Sequence, residues 1–166
     1  MRRILLLSLL PLSACAGNHS ELQRPAPVFF PERFFAGHTE GQGRLKVALS
    51  EAKAIDVHGD GEVEPDGTLV LDQVVDQEGK SPERREWRIR GAGGRYTGTL
   101  TDAVGPVRGD VRGNRLHLAY KMKGGFSAEQ WIYLQPGGTV ALNRMQVRKL
   151  GVPVATIEET IRKAGE

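Results

Sequence analysis

Glu86-Trp87-Arg88-Ile89, a Gly-rich turn, and then Arg95-Tyr96-Thr97-Gly98-Thr99-Leu100-Thr101-Asp102-Ala103-Val104-Gly105, running on to Gly109 and Gly113-Asn114, is the stretch whose reading decides the fold. Its side chains alternate in short runs between glycines, the period of consecutive antiparallel strands. Trp87 and Ile89 fall on one face, with Glu86, Arg88 and Arg90 on the other. On the next strand Tyr96, Gly98 and Leu100 share a face with Asp102, while Thr97, Thr99 and Thr101 point the other way. An acid on the aromatic face is the oddity to explain.

The same period extends in both directions. Leu45, Val47 and Leu49 alternate on one strand, Ile55 and Val57 mark the next, and Asp66-Gly67 and Glu78-Gly79 are turns. Beyond the Gly113-Asn114 hairpin, Leu116, Leu118, Tyr120 and Met122 share a face, and Trp131 shares one with Tyr133. In the strand 139–149 the apolar positions change parity, from Val140 and Leu142 to Met145 and Val147, which predicts a bulge near Asn143-Arg144. After Gly151 and Pro153, Thr156 with Glu159 three residues on reads as a capping box, and Ile157 and Ile161 stand four apart. This predicts a C-terminal helix docked on the sheet. Upstream, residues 28–35 hold four of the five Phe, with Pro31 suited to a first helical turn. The cluster reads as a plug at one end of the sheet, in preference to a membrane-dipping or ligand-gating group. Eight to ten short strands, with small inward glycines such as Gly98 and Gly109, predict an all-β, lipocalin-like antiparallel barrel rather than a sandwich.

The 166 residues leave room for one core of ordinary size. The formal charge of +3 includes Arg2 and Arg3; without them 21 basic face 20 acidic side chains. No Lys/Arg run stands out, so no nucleic-acid partner is expected. Cys15 is the one cysteine, which excludes an internal disulfide.

Met1-Arg2-Arg3 followed by the apolar run from Ile4 to Leu12 has the layout of a secretory signal, too short to span a bilayer. Leu12-Ser13-Ala14-Cys15 resembles the lipobox of bacterial lipoproteins, which implies cleavage before Cys15 and lipidation there, a membrane anchor of several acyl chains. Ala16, rather than Asp, after the cysteine implies by that resemblance the outer membrane, periplasm-facing. The expected organisation is a signal peptide over 1–14, a lipidated cysteine and flexible tether over 15–27, and one barrel domain over 28–166.

Phe34-Phe35-Ala36-Gly37, Glu86-Trp87, Tyr96-Thr97-Gly98, Asp102-Ala103-Val104-Gly105, Gly113-Asn114, Tyr120, Trp131, Asn143-Arg144 and Lys149-Leu150-Gly151, in this order, resemble the DUF3833 family of uncharacterised bacterial lipoproteins. The turn Gln77-Glu78-Gly79 departs from the Asp-Gly usual there. The resemblance implies an envelope lipoprotein and leaves the activity open; the family's recurrent positions include Trp87, Tyr96, Asp102, Asn114, Trp131 and Asn143.

For chemistry, a carboxylate at Asp102 facing an apolar interior needs a partner, and Arg144 beside the expected bulge is the candidate. Alternatively Asp102 accepts backbone N–H bonds around Gly105 and fixes a barrel corner. Trp87, Tyr96, Tyr120 and Trp131 line a cavity or fill it. His58 and Asp60 share a strand face, but two ligands are short of the three or four that a metal needs, so neither metal nor cofactor is expected. There is no Gly-x-Ser-x-Gly, no His-Glu-x-x-His and no phosphate loop. The leading expectation is therefore a barrel that binds a lipid-like or other apolar small molecule, with Asp102, Arg144, Asn114 and Asn143 as candidate polar contacts. A non-enzymatic structural or assembly partner of other envelope proteins comes second, and an enzyme using Asp102 third.

Overall fold

The computed structural model describes residues 20–164. Cys15, the expected signal peptide and the first part of the expected tether lie outside the described residues.

Ten strands form one antiparallel meander: β1 (Gly37–Val47), β2 (Ala52–Val63), β3 (Leu69–Gln77), β4 (Glu83–Ala92), β5 (Arg95–Leu100), β6 (Val107–Arg112), β7 (Arg115–Met122), β8 (Phe126–Leu134), β9 (Val140–Lys149) and β10 (Val152–Lys163). Each pairs with its neighbour in sequence, and β10 pairs with β1 to close the barrel, in register from Thr39 with Lys163 to Val47 with Ala155.

The closing strand occupies the place of the expected C-terminal helix. Ile157, Glu159 and Ile161 share a face in a strand as well as in a helix, because a spacing of four is also even. Val152, Val154, Thr156, Ile157, Thr160 and Ile161 supply the β-branched content of a strand. Closure decides between the two, since without β10 the edges of β1 and β9 would stand open.

The expected bulge at Asn143-Arg144 is also absent. β9 pairs with β8 without interruption from Phe126 with Lys149 to Leu134 with Ala141; the irregularity lies instead on β10, between Pro153 and Ala155. The apparent change of parity arises because this part of the barrel is apolar on both faces. Ala141, Asn143 and Met145 face in, whereas Leu142 faces out beside its cross-strand partner Tyr133, which is fully buried.

One end of the barrel is sealed as the phenylalanines predict. The single-turn helix α1 (Pro31–Phe34) has Pro31 at its start, and Phe29, Phe34 and Phe35 pack ring to ring at 4.9 to 6.2 Å. They join Leu69, Ile89, Leu116, Ile132 and Ile161 in the main core. Lys163 caps the helix, its ammonium donating to the carbonyl oxygens of Arg33, Phe34 and Ala36. The chain before the plug does not hang free. Asn114 Oδ1 accepts from the Arg24 N–H (2.6 Å), and Asn114 Nδ2 donates to the Leu22 carbonyl (3.2 Å). Part of the stretch read as a tether is thus laid against the barrel.

Gly98 pairs with Ile89 across β4 and β5, and an added Cβ would stand 1.8 Å from the Arg88 carbonyl oxygen, a backbone atom that cannot swing away. Gly98→Ala is therefore expected to destabilise the fold by about 1–3 kcal/mol in urea unfolding, and an unchanged midpoint would contradict this packing.

Candidate functional site

The barrel interior holds a cavity of about 80 Å³. At the plug end its lining residues Phe35, Leu69, Leu116, Ile132 and Ile161 are buried. Towards the other end Val57, Val75, Arg85, Gln130, Met145 and Ile157 are only half-buried, so the space opens away from the plug. We call that end the mouth. An interior that is not filled fits the strand number, since barrel diameter grows with it.

The cavity wall is apolar except for Gln73, Arg85, Gln130, Asn143 and Glu159, together with the polar atoms of Trp87 and Tyr120. Trp87 donates its Nε1–H to Gln73 Oε1 at 2.8 Å and stands edge-on to Tyr120, with ring centroids 5.5 Å apart. Burial pushes the Tyr120 hydroxyl up to about 12.

The inward carboxylate of this barrel is Glu159, not Asp102. Glu159 is 7% exposed, and its Oε2 accepts a 2.7 Å hydrogen bond from Nδ2 of Asn143, its cross-strand partner. Gly41 makes the space for it, because a Cβ there would lie 1.8 Å from Glu159 Oε1. Desolvation raises the Glu159 carboxyl above 4.5, and the Asn143 hydrogen bond offsets only part of this. Asn143 Oδ1 and Gln130 Oε1 are buried without a hydrogen-bond partner among the described residues.

The residues singled out from the sequence separate into four places. Trp87, Tyr120 and Asn143 line the cavity. Asp102 stands near the mouth, 42% exposed, with Oδ2 at 2.8 Å from Arg85 Nε; through Arg85 it touches the cavity, and its partner is not Arg144. Because β9 has no bulge, Arg144 faces outward and pairs with Glu158 at 3.4 Å. Trp131 faces outward too and stacks on His117, with centroids 5.3 Å apart. Asn114 and Tyr96 belong to the plug end. Asn114 holds the chain at Leu22 and Arg24 and bonds the Leu134 carbonyl. Tyr96 donates to Glu32 Oε2 of α1 at 3.2 Å, and burial together with that carboxylate raises its hydroxyl to about 12.

Sequence reasoning missed Gln73, Arg85, Gln130 and Glu159. For Glu159 the signal was available: it lies midway between Ile157 and Ile161, the inward position of a strand.

The fold has known counterparts at low sequence identity. An S-type phycobiliprotein lyase from Guillardia theta superposes with a TM-score of 0.65 at 7% identity, over 81% of this chain and 91% of that one. A DUF3598-family protein of unknown function from Nostoc punctiforme superposes with a TM-score of 0.63 at 12% identity, over 84% of this chain and 51% of that one. A search of curated proteins gives no match. The family model for DUF3833, a protein of unknown function, matches residues 9–163, and on that span the chain belongs to the DUF3833 family.

Proposed function

We propose that this protein binds a small amphipathic molecule through the mouth of the barrel, with Trp87, Tyr120 and the aliphatic wall against its apolar part and the Asn143–Glu159 pair against its polar group. The observation that carries this reading is the pair of unpartnered buried acceptors, Asn143 Oδ1 and Gln130 Oε1, facing one cavity beside a buried carboxyl. Polar groups set singly in an apolar wall in this way fix the orientation of a bound molecule through the hydrogen bonds they accept. The set is rich in acceptors and therefore suits a ligand bearing a hydroxyl or amine.

The space is smaller than the apolar cavity of about 150 Å³ that binds benzene. The ligand therefore inserts one end, or Gln130, Met145 and Arg85 move aside at the mouth. The phycobiliprotein lyase supports the reading by fold alone.

The setting is part of the proposal. Lipidation at Cys15 would anchor the protein in the outer membrane, facing the periplasm. Five residues lead from Cys15 to Ser20, a reach of roughly 17 Å, and the chain joins the barrel at its plug end. An anchor there turns the mouth away from the membrane that holds it. One observation favours the second reading, an envelope protein partner: Leu49 and Leu150 are 107% and 85% exposed on neighbouring turns at the mouth, with Val152 beside them.

Two outcomes follow. In native mass spectrometry of protein expressed in the periplasm, wild type is expected to carry a co-purifying small molecule that Glu159→Gln or Asn143→Leu loses while remaining folded. An apo mass that persists after incubation with an envelope-lipid extract would move the assignment to the partner reading. In thermal unfolding, the raised Glu159 carboxyl contributes stability that is fully present below 4.5 and lost as the pH rises through its folded value. Relative to Glu159→Gln, wild type should therefore lose several degrees of Tm between pH 4.5 and neutrality, and a constant difference would contradict the burial of this group.

A further inference from the structure

The outer face of the first hairpin carries a group of side chains that the cavity does not involve. His38 and Glu40 alternate on β1, and His58 and Asp60 alternate on β2. The antiparallel register sets His38 opposite Asp60 and Glu40 opposite His58, so two imidazoles and two carboxylates form a square. His38 Nδ1 lies 2.9 Å from Asp60 Oδ1, while its Nε2 lies 3.6 Å from Glu40 Oε1. The two imidazole rings are nearly parallel, 6.5 Å apart. One ligand atom from each of His38, Glu40 and His58 lies within 4.8 Å of the others.

We propose that His38 Nε2, Glu40 and His58 bind a divalent transition-metal ion of the zinc class, with Asp60 as a positioning residue. Two ligand atoms on one tetrahedral ion, at about 2.0–2.1 Å each, stand about 3.4 Å apart; the separation of His38 and Glu40 is already close to this. All three ligands are exposed, so the remaining closure is a rotation of side chains through solvent and disturbs no packing. Asp60 accepts the Nδ1–H of His38, which fixes the tautomer with the Nε2 lone pair free and turned towards Glu40. A carboxylate behind a metal-binding histidine does the same in established sites.

Of the charges flanking the square, Asp72, the cross-strand partner of Asp60 on β3, favours a cation, whereas Arg162, the partner of Glu40 on β10, opposes one, so the site rests on its ligand geometry. An exposed His–Asp pair alone is worth little. What distinguishes this one is the arrangement on the other ring nitrogen, where a carboxylate and a second imidazole converge. Two imidazoles with one carboxylate select zinc, nickel or copper over magnesium or calcium, and three protein ligands on an open surface leave a position for water.

The test is isothermal titration of zinc chloride into the full chain, purified without a histidine tag. Wild type is expected to show one saturable site. His38→Ala and His58→Ala should each weaken it ~10-fold or more, and Asp60→Asn by about 10–100-fold, whereas His117→Ala should leave it intact. Cobalt(II) in place of zinc should give the visible absorption of a four-coordinate site, lost in the same variants. Absence of saturable binding, binding that survives the double variant His38→Ala/His58→Ala, or indifference to Asp60→Asn would overturn the assignment. Because every substituted residue of the square is exposed, an unchanged circular dichroism spectrum accompanies each variant and keeps the comparison interpretable.

Discussion

The pairing of β10 with β1 is the constraint on which the rest of the structure depends. A ten-strand antiparallel sheet with open ends would leave the unpaired N–H and C=O groups of two edge strands exposed. Closing it removes both edges and obliges the last strand to present one face inward along its length. Glu159 falls on that face between Ile157 and Ile161, so closure buries a carboxyl. The structure accommodates the group with a glycine on the neighbouring strand β1, Gly41, and one amide donor, Asn143. The polar floor of the cavity thus follows from the topology.

The two ends of the barrel then divide the work. At one end Phe29, Phe34 and Phe35 close the core, and Tyr96, Asn114 and Lys163 tie the incoming chain and α1 to the strands around them. Asn114 and Lys163 satisfy backbone groups and Tyr96 satisfies the Glu32 carboxylate of α1, which is a structural use of all three. At the other end Asp102 holds Arg85 beside the cavity, and the lining is half-buried. An apolar tube with a few polar groups at depth and one sealed end has the physical form of a site that takes a ligand end-on.

Much of this was legible in the sequence. Period-two alternation around Trp87, Tyr96 and Leu116–Met122 gave the strands and the inward faces, and the phenylalanine cluster with Pro31 gave the plug. Three readings failed for identifiable reasons. A spacing of four between Ile157 and Ile161 satisfies helix and strand alike, and nothing local to that segment says that β1 lacks a partner on one side. Apolar residues on both faces of β8 and β9 imitate a parity change, which turned Arg144 inward on paper and left Trp131 on the cavity side. Asp102 shares the parity of Tyr96 and Leu100, but it lies beyond the end of β5, where the chain reaches the rim and water returns. The acid that does face inward is Glu159, on the strand taken for a helix, and the reading of Asp102 did not anticipate it. In the same way, His58 and Asp60 look like an isolated pair in sequence, and only the register of β1 against β2 brings His38 and Glu40 beside them.

The most direct test of the account is the titration of the Glu159 carboxyl, followed by carbon-detected NMR on protein labelled at glutamate, with Glu159→Gln to assign the resonance. The closed barrel predicts a midpoint above 4.5 and a resonance that shifts when a ligand enters the cavity. A midpoint at or below 4.5 would contradict desolvation as the dominant influence on this carboxyl, and with it the water-excluded polar floor of the site.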